Sequence, residues 1–149
     1  MFHIVLVRPE IPHNTGSIGR LCVATGSTLH LVHPLGFSID ERSVRRAGLD
    51  YWESLQVQEW GSLEEFWEFL GTRRCFLLTT KAKQKYWDAR FEEGDFLIFG
   101  RESAGLPESL LERHAESCLT IPMEETRSLN LATAVAILMY EGVRQIKIE

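Results

Sequence analysis

The sequence predicts an α/β protein with a mostly parallel sheet flanked by helices. Three observations support this class. Short apolar runs with the length of buried strands recur along the 149 residues, segments with helical periodicity separate most of them, and turns rich in glycine, proline or hydroxyl residues follow several runs. Alternating strands and helices are typical of parallel sheets, in which helices connect the strands. The length fits one domain, residues 1–149.

The predicted elements follow one another along the chain. The expected strands are residues 2–8, 28–32, 55–60, 75–78, 95–99 and 118–121. The expected helices begin near residue 14, run from Asp40 to near Gly48, and begin again at residues 62, 109 and about 129. The last helix reaches about residue 146 and is apolar on more than one side, so it needs a second packing surface besides the sheet. A second subunit is a reasonable candidate for that surface.

Local signals mark the ends of two helices. Asn14 or Thr15 can cap the first helix, and Gly26 ends it. Ser62 followed three residues later by Glu65 forms a capping box.

Composition disfavours several classes of protein. The formal net charge of −5 argues against non-specific coating of nucleic acid, although it leaves room for a local basic site. No stretch approaches the roughly 20 apolar residues of a membrane span, and the first residues lack the pattern of a signal peptide. The three cysteines lie in separate apolar segments, which indicates buried thiols in a reducing cytoplasm and no zinc site.

Residues 96–107, FLIFGRESAGLP, join a buried strand to a glycine-containing turn. In an open α/β sheet, ligands bind beyond the carboxyl ends of the strands. Gly100 and Gly105 would let the backbone approach a ligand or adopt a positive φ. An ordinary strand-to-helix turn explains the same residues equally well. Two further turns, at residues 78–80 and 121–130, follow other predicted strands, and their convergence with this turn favours a ligand site.

Three segments together resemble the motifs of the SPOUT RNA methyltransferases. They read NTGSIGR at residues 14–20, FGRESAGLP at 99–107 and IPMEETRSLNLATAV at 121–135. The whole chain is similar to the small members of that family that methylate the ribose 2′-hydroxyl of the wobble nucleotide, cytidine or modified uridine, in leucine tRNAs. The resemblance implies a deep trefoil knot at the carboxyl end of the sheet, S-adenosylmethionine in the knot, a homodimer paired through its first and last helices, and no metal.

The resemblance also implies residue roles. The cofactor-binding positions are Leu78, Thr79, Gly100, Gly105, Ile121, Met123, Ser128 and Leu129. The catalytic positions are Arg20, Glu102, Ser128 and Asn130. Contacts with the tRNA anticodon loop are expected from Arg8, Asn14, Arg42, Arg45, Arg46, Lys81, Lys83, Arg127 and Tyr140, with Lys85 in the same basic cluster. One departure is Arg101, which stands where the family usually has proline.

Several roles remain open at the level of sequence. Arg20 would either stabilise the developing alkoxide or act as the base. Ser128 and Asn130 can also cap the last helix. Glu102 can bond loop amides, pair with an arginine (Arg20 or Arg127) or simply face solvent, and Tyr140 can face a subunit interface, stack on a base or pack in the core. The alternative functions are methylation of another tRNA or rRNA site and RNA binding without catalysis.

Overall fold

The computed structural model describes residues 1–40, 42–47 and 51–147, with the backbone alone at residues 43, 45 and 47. The strands are β1 His3–Val7, β2 Thr28–Val32, β3 Val57–Trp60, β4 Cys75–Leu78, β5 Phe96–Phe99 and β6 Cys118–Leu119. The α-helices are α1 Pro12–Thr25, α2 Arg42–Ala47, α3 Leu63–Leu70, α4 Glu108–Arg113 and α5 Leu131–Lys147. The predicted order of elements is therefore confirmed, with β6 shorter than expected. Gly48, the expected end of α2, lies outside the described residues.

The strands form one six-stranded sheet in the order β3-β2-β1-β5-β4-β6. Every pairing between these strands is parallel. The predicted parallel α/β class is confirmed. β1 lies between β2 and β5, so the strand order changes direction there, and the carboxyl ends of all six strands meet at one edge.

The start of α1 differs from the prediction. The helix begins at Pro12, and the preceding Ile11 makes no side-chain cap. Proline suits the first helical position because its missing N–H would have no partner there. Asn14 and Thr15 consequently lie inside the helix and are buried, so neither is its cap. The predicted end is confirmed, since Gly26 adopts a left-handed conformation with φ of 69°.

The capping box of α3 is confirmed. Ser62 accepts a hydrogen bond from the Glu65 amide at 3.1 Å. Glu65 reaches back and accepts from the Gly61 amide at 3.2 Å. The first bond satisfies a backbone donor that the first helical turn leaves without a partner. The second bond holds the amide of Gly61, the residue just before the cap, against the same turn.

The core lies on both faces of the sheet. Ile4 and Leu6 of β1 pack in the cluster formed with α1 and α5. Val5 and Val7 pack in the cluster formed with α3 and α4. This alternation follows from the two-residue period of a strand. Among the helices of the described ranges, none has the length and hydrophobicity that a membrane span requires.

The cysteines contribute to this core as apolar residues, as predicted. Cys22 and Cys118 are buried, Cys75 is half-buried, and all three thiols are free. Burial raises the pKa of each thiol, that of Cys22 to about 12. The protonated thiol is therefore the stable form of each.

A hydrogen-bonded chain runs across β1, β2 and β3 and links His3, His30 and Trp60, of which only His30 is fully buried. The Trp60 indole N–H donates to Nδ1 of His30 at 3.1 Å, which leaves Nε2 of His30 to carry its proton. That nitrogen lies 2.9 Å from Nδ1 of His3 and donates to it. Burial is the main cause that lowers the pKa of His30, to about 4, and it lowers the pKa of His3 as well. Both rings are therefore neutral in the folded protein at neutral pH.

This chain predicts acid sensitivity. The unfolded protein binds more protons than the folded one between the ordinary histidine pKa of 6.5 and about 4, so stability falls as the pH falls through that window. We expect His30 alone to lower the free energy of unfolding by about 2–3 kcal/mol from pH 7 to pH 4. Urea unfolding at pH 7 and pH 4 measures the free energy of unfolding of wild type and of His30→Leu. His13→Leu, which removes an exposed histidine, is the control. A stability difference between wild type and His30→Leu that stays constant with pH would contradict the assignment.

Candidate functional site

A cavity of about 530 Å³ opens at the carboxyl edge of the sheet. Its walls come mainly from three loops, at residues 78–81, 99–106 and 120–131. These loops follow β4, β5 and β6, so the predicted convergence of three strand ends is confirmed. The volume lies within the roughly 300–1,000 Å³ that small-molecule sites occupy.

Most residues predicted to form a site line this cavity. The lining includes Leu78, Thr79, Gly100, Gly105, Ile121, Met123, Ser128 and Leu129, which are the predicted cofactor positions. It also includes Glu102, Asn130, Lys81 and Arg127. Their roles stay predictions, but the fold brings them to one place.

Arg20 is the exception among the catalytic candidates. It is exposed on α1 and is absent from the described residues that line the cavity. Its guanidinium lies over the Tyr51 ring, 4.9 Å from the ring centroid. Within one chain, Arg20 therefore does not join Glu102, Ser128 and Asn130.

The remaining predicted RNA contacts are dispersed. Arg42, Arg46, Lys83 and Tyr140 are exposed, Asn14 is buried, and the side chain of Arg45 lies outside the described residues. Tyr140 is 47% exposed, so core packing does not describe it. Arg8 follows β1 with a positive φ of 56°, and its Nε is buried without a hydrogen-bond partner among the described residues.

Two carboxylates join the loop after β1 to the loop after β5. Glu102 accepts from the backbone amides of Glu10 and Ile11, each at 2.8 Å. In return, Glu10 accepts from the Ser103 amide at 2.8 Å. Hydrogen bonds from Ser103 lower the pKa of Glu10, which favours its charged form. We call this reciprocal arrangement of Glu10, Ile11, Glu102 and Ser103 the carboxylate clasp.

The clasp settles one alternative left open by the sequence. Glu102 bonds loop amides, whereas pairing with Arg20 or Arg127 does not occur among the described residues. The clasp itself was not predicted, because Glu10 carried no motif signal and its partner is a backbone N–H. A carboxylate beside a proline-rich turn was the only available sign.

Two asparagines extend the clasp to the last helix. The Asn14 side-chain amide donates to Glu102 at 3.2 Å, and the Asn130 side-chain amide donates to Asn14 at 3.1 Å. The Asn130 carbonyl oxygen accepts from the amides of Ala132 and Thr133, so Asn130 caps α5, which is one of the alternatives that the sequence left open. Ser128 lies before that cap, so of the two caps that the sequence left open the structure shows Asn130. One residue from each of the three motifs thus belongs to a continuous hydrogen-bond network.

Gly100 allows the loop after β5 to fold back on itself. A Cβ there would lie 2.1 Å from the carbonyl carbon of Gly105 and 2.2 Å from the amide nitrogen of Leu106. No side chain fits such an approach, and Gly105 itself adopts a positive φ of 69°. The positive φ expected of these glycines is confirmed at Gly105, whereas Gly100 is required by the close approach of its own loop.

The lining of the cavity suits an organic ligand with polar and apolar parts. Leu78, Ile121 and Leu129 supply apolar surface, and the folded loop at residues 100–105 supplies backbone polar groups at close range. In the ranges described, no three His, Cys, Asp or Glu residues are grouped so as to hold a metal ion.

Comparisons with known proteins agree with this geometry. The model of the SpoU rRNA methylase family matches residues 1–140. The tRNA (cytidine(34)-2′-O)-methyltransferase of Aeromonas hydrophila subsp. hydrophila is 49% identical over 148 residues, which cover 98% of this chain and 95% of that relative. A structure solved for insights into 2-OH methylation of C/U34 on tRNA superposes with a TM-score of 0.95 at 44% identity, over 99% of this chain and 97% of that one. An AdoMet-bound rRNA methyltransferase from Sinorhizobium meliloti superposes with a TM-score of 0.87 at 25% identity, over 99% of this chain and 57% of that one.

The clasp predicts a stability loss on neutralising Glu102. Glu102→Gln keeps the side-chain size but leaves one carbonyl oxygen and no charge to accept from two backbone amides. We expect the free energy of unfolding to fall by about 1–2 kcal/mol, because hydrogen bonds to charged groups contribute more than neutral ones. Urea unfolding measures the change, with Glu112→Gln, an exposed glutamate on α4, as the control. Equal stability losses in the two variants would contradict the clasp.

Proposed function

Because the chain belongs to the SpoU rRNA methylase family, we propose that it methylates the ribose 2′-hydroxyl of the wobble nucleotide, cytidine 34, in a tRNA. The chain is a tRNA 2′-O-ribose methyltransferase, and S-adenosylmethionine is its methyl donor. The observation that carries the proposal is 49% identity to a relative named for this reaction across nearly the full length of both chains. The cavity between the three motif loops is the proposed donor site.

The cavity residues fit this donor. When bound, S-adenosylmethionine supplies an activated methyl group on a sulfonium. Leu78, Ile121 and Leu129 offer apolar surface for its flat parts, and the folded loop at residues 100–105 offers backbone hydrogen-bonding groups. Ser128 and Met123 complete the wall that we assign to the donor.

Catalysis then depends mainly on alignment. A methyl group transferred in line needs the attacking hydroxyl held opposite the leaving sulfur, and positioning supplies much of the rate. We assign Glu102 and Asn130 to positioning, because the clasp and the α5 cap occupy their polar atoms. Arg20 is the proposed electrostatic partner of the developing alkoxide, since an arginine remains protonated at accessible pH.

Arg20 requires a second copy of the chain in this scheme. Its guanidinium lies against Tyr51 and away from the cavity of its own chain. We therefore propose a homodimer, paired through α1 and α5, in which Arg20 serves the cavity of the other copy. The exposed Tyr140 on α5 and the exposed Ile11 beside α1 support such a surface.

Finer features of the proposal come from the same resemblance. We propose a trefoil knot around the cavity, which the tight return of the loop at Gly100 supports. We also propose leucine tRNAs as substrates, cytidine or modified uridine as the nucleotide, the anticodon loop as the contact region, and the cytoplasm as the place of action. The three free thiols support a reducing compartment.

The proposal predicts a specific loss of modification. Ribose methylation at position 34 should disappear from the tRNA of cells that lack the protein, as measured by mass mapping of digested tRNA. Wild type should restore it, whereas Arg20→Ala should not, because the alkoxide loses its positive partner. Removing one such group costs about 10²–10³ in rate.

Two controls make this test decisive. Arg20→Ala should retain wild-type affinity for S-adenosylmethionine by calorimetry, and Arg113→Ala, an exposed arginine on α4, should restore methylation. Unchanged ribose methylation in every tRNA of the deficient cells would overturn the substrate assignment. If the wild type did not bind S-adenosylmethionine, the assignment of the protein as a methyltransferase would be contradicted.

A further inference from the structure

Trp87 is the most exposed large apolar side chain of the described residues. It is 50% exposed and lies in a short 3₁₀-helix, Tyr86–Asp88. Burial of an indole ring lowers the free energy of a folded protein, so an indole left half in water contributes little to the stability of the fold. Single exposed apolar residues are common, however, and the surroundings of Trp87 decide its meaning.

The backbone around Trp87 is fixed to the cavity wall. Thr120, which lines the cavity, donates from its amide to the Gln84 carbonyl oxygen at 2.9 Å. The Thr120 carbonyl oxygen accepts from the Tyr86 amide at 2.9 Å. The Trp87 and Tyr86 rings pack edge to face, with centroids 5.3 Å apart. These contacts place Trp87 beside the cavity, although Trp87 does not line it.

The segment that carries Trp87 is basic in a chain that is acidic overall. Residues 81–90 contain four basic residues and one acidic residue, whereas the formal net charge of the chain is −5. Lys83 and Lys85 are exposed and, across the ranges the structure describes, have no carboxylate at ion-pair distance. The Lys85 ammonium lies 5.6 Å from the centroid of the Trp87 ring.

We propose that Trp87, Lys83 and Lys85 form a stacking platform for an unpaired anticodon-loop nucleotide next to the methylated one. This rests on the proposed function, because only a tRNA substrate brings such a nucleotide to the cavity. Unpaired bases stack on aromatic side chains, and lysines beside the ring contact phosphates. The unpaired charges of Lys83 and Lys85 favour a polyanion as the occupant. A second copy of the chain is the other occupant that the test distinguishes.

The test measures RNA binding separately from catalysis. The probe is a labelled, unmethylated stem-loop RNA with the anticodon loop of a leucine tRNA, the proposed substrate. It is titrated with the full-length protein, and binding is followed by fluorescence anisotropy. We expect Trp87→Ala to raise the dissociation constant about 5- to 100-fold, as removal of a base-stacking ring does. Trp87→Phe should retain most of the affinity because it keeps a ring.

Charge variants test the lysines independently. Lys85→Gln should weaken RNA binding at low salt. It should also reduce the slope of log affinity against log salt concentration by about one, because one fewer counterion is released. Arg113→Gln, which also removes one exposed positive charge but lies on α4, should bind RNA as the wild type does. Equal effects of the two variants would overturn the assignment of Lys85.

Each other outcome has a definite meaning. If Trp87→Ala binds the RNA with wild-type affinity, the platform is overturned. It is also overturned if light scattering gives Trp87→Ala a different molar mass from wild type, because the ring then contacts a second copy of the chain. A wild type that binds this RNA but methylates no tRNA overturns the proposed function while the affinity comparison still tests the platform. A wild type that binds no RNA overturns both.

Discussion

The charged hydrogen bonds of the carboxylate clasp hold the site together. Glu102 accepts hydrogen bonds from two backbone amides in the loop after β1, and Glu10 accepts one from a backbone amide in the loop after β5. Bonds to a charged acceptor are shorter and stronger than neutral ones, and the reciprocal pattern ties each loop to the other. Asn14 and Asn130 carry the connection to the start of α5, so three separate parts of the chain share one arrangement.

The sheet topology explains where the clasp lies. β1 and β5 are neighbours at the point where the strand order changes direction, and a crevice opens between the loops that leave such a pair. Ligands commonly bind in that crevice. In this protein the clasp bridges it, and the cavity lies beyond the ends of β5, β4 and β6. The clasp thus forms a wall of the proposed donor site on the side of β1.

The sequence predicted what depends on local composition. Apolar runs identified the strands, and Ser62 with Glu65 identified the start of α3, because these signals act over a few residues. The cap of α1 was mistaken because Pro12 begins that helix without any side-chain cap. The clasp could not be predicted, since its partners are 92 residues apart and include backbone amides that every residue carries. The resemblance named most site residues, but it did not show that Arg20 lies outside the cavity of its own chain.

One hydrogen-bond network, formed by the clasp and the two asparagines, shapes the proposed donor site. A double-mutant cycle tests it, with the affinity for S-adenosylmethionine measured by calorimetry for wild type, Glu102→Ala, Asn130→Ala and the double variant. The network predicts strong coupling, because breaking it at either end releases the same loops and the second substitution then adds little. Affinity losses that multiply in the double variant would contradict the claim.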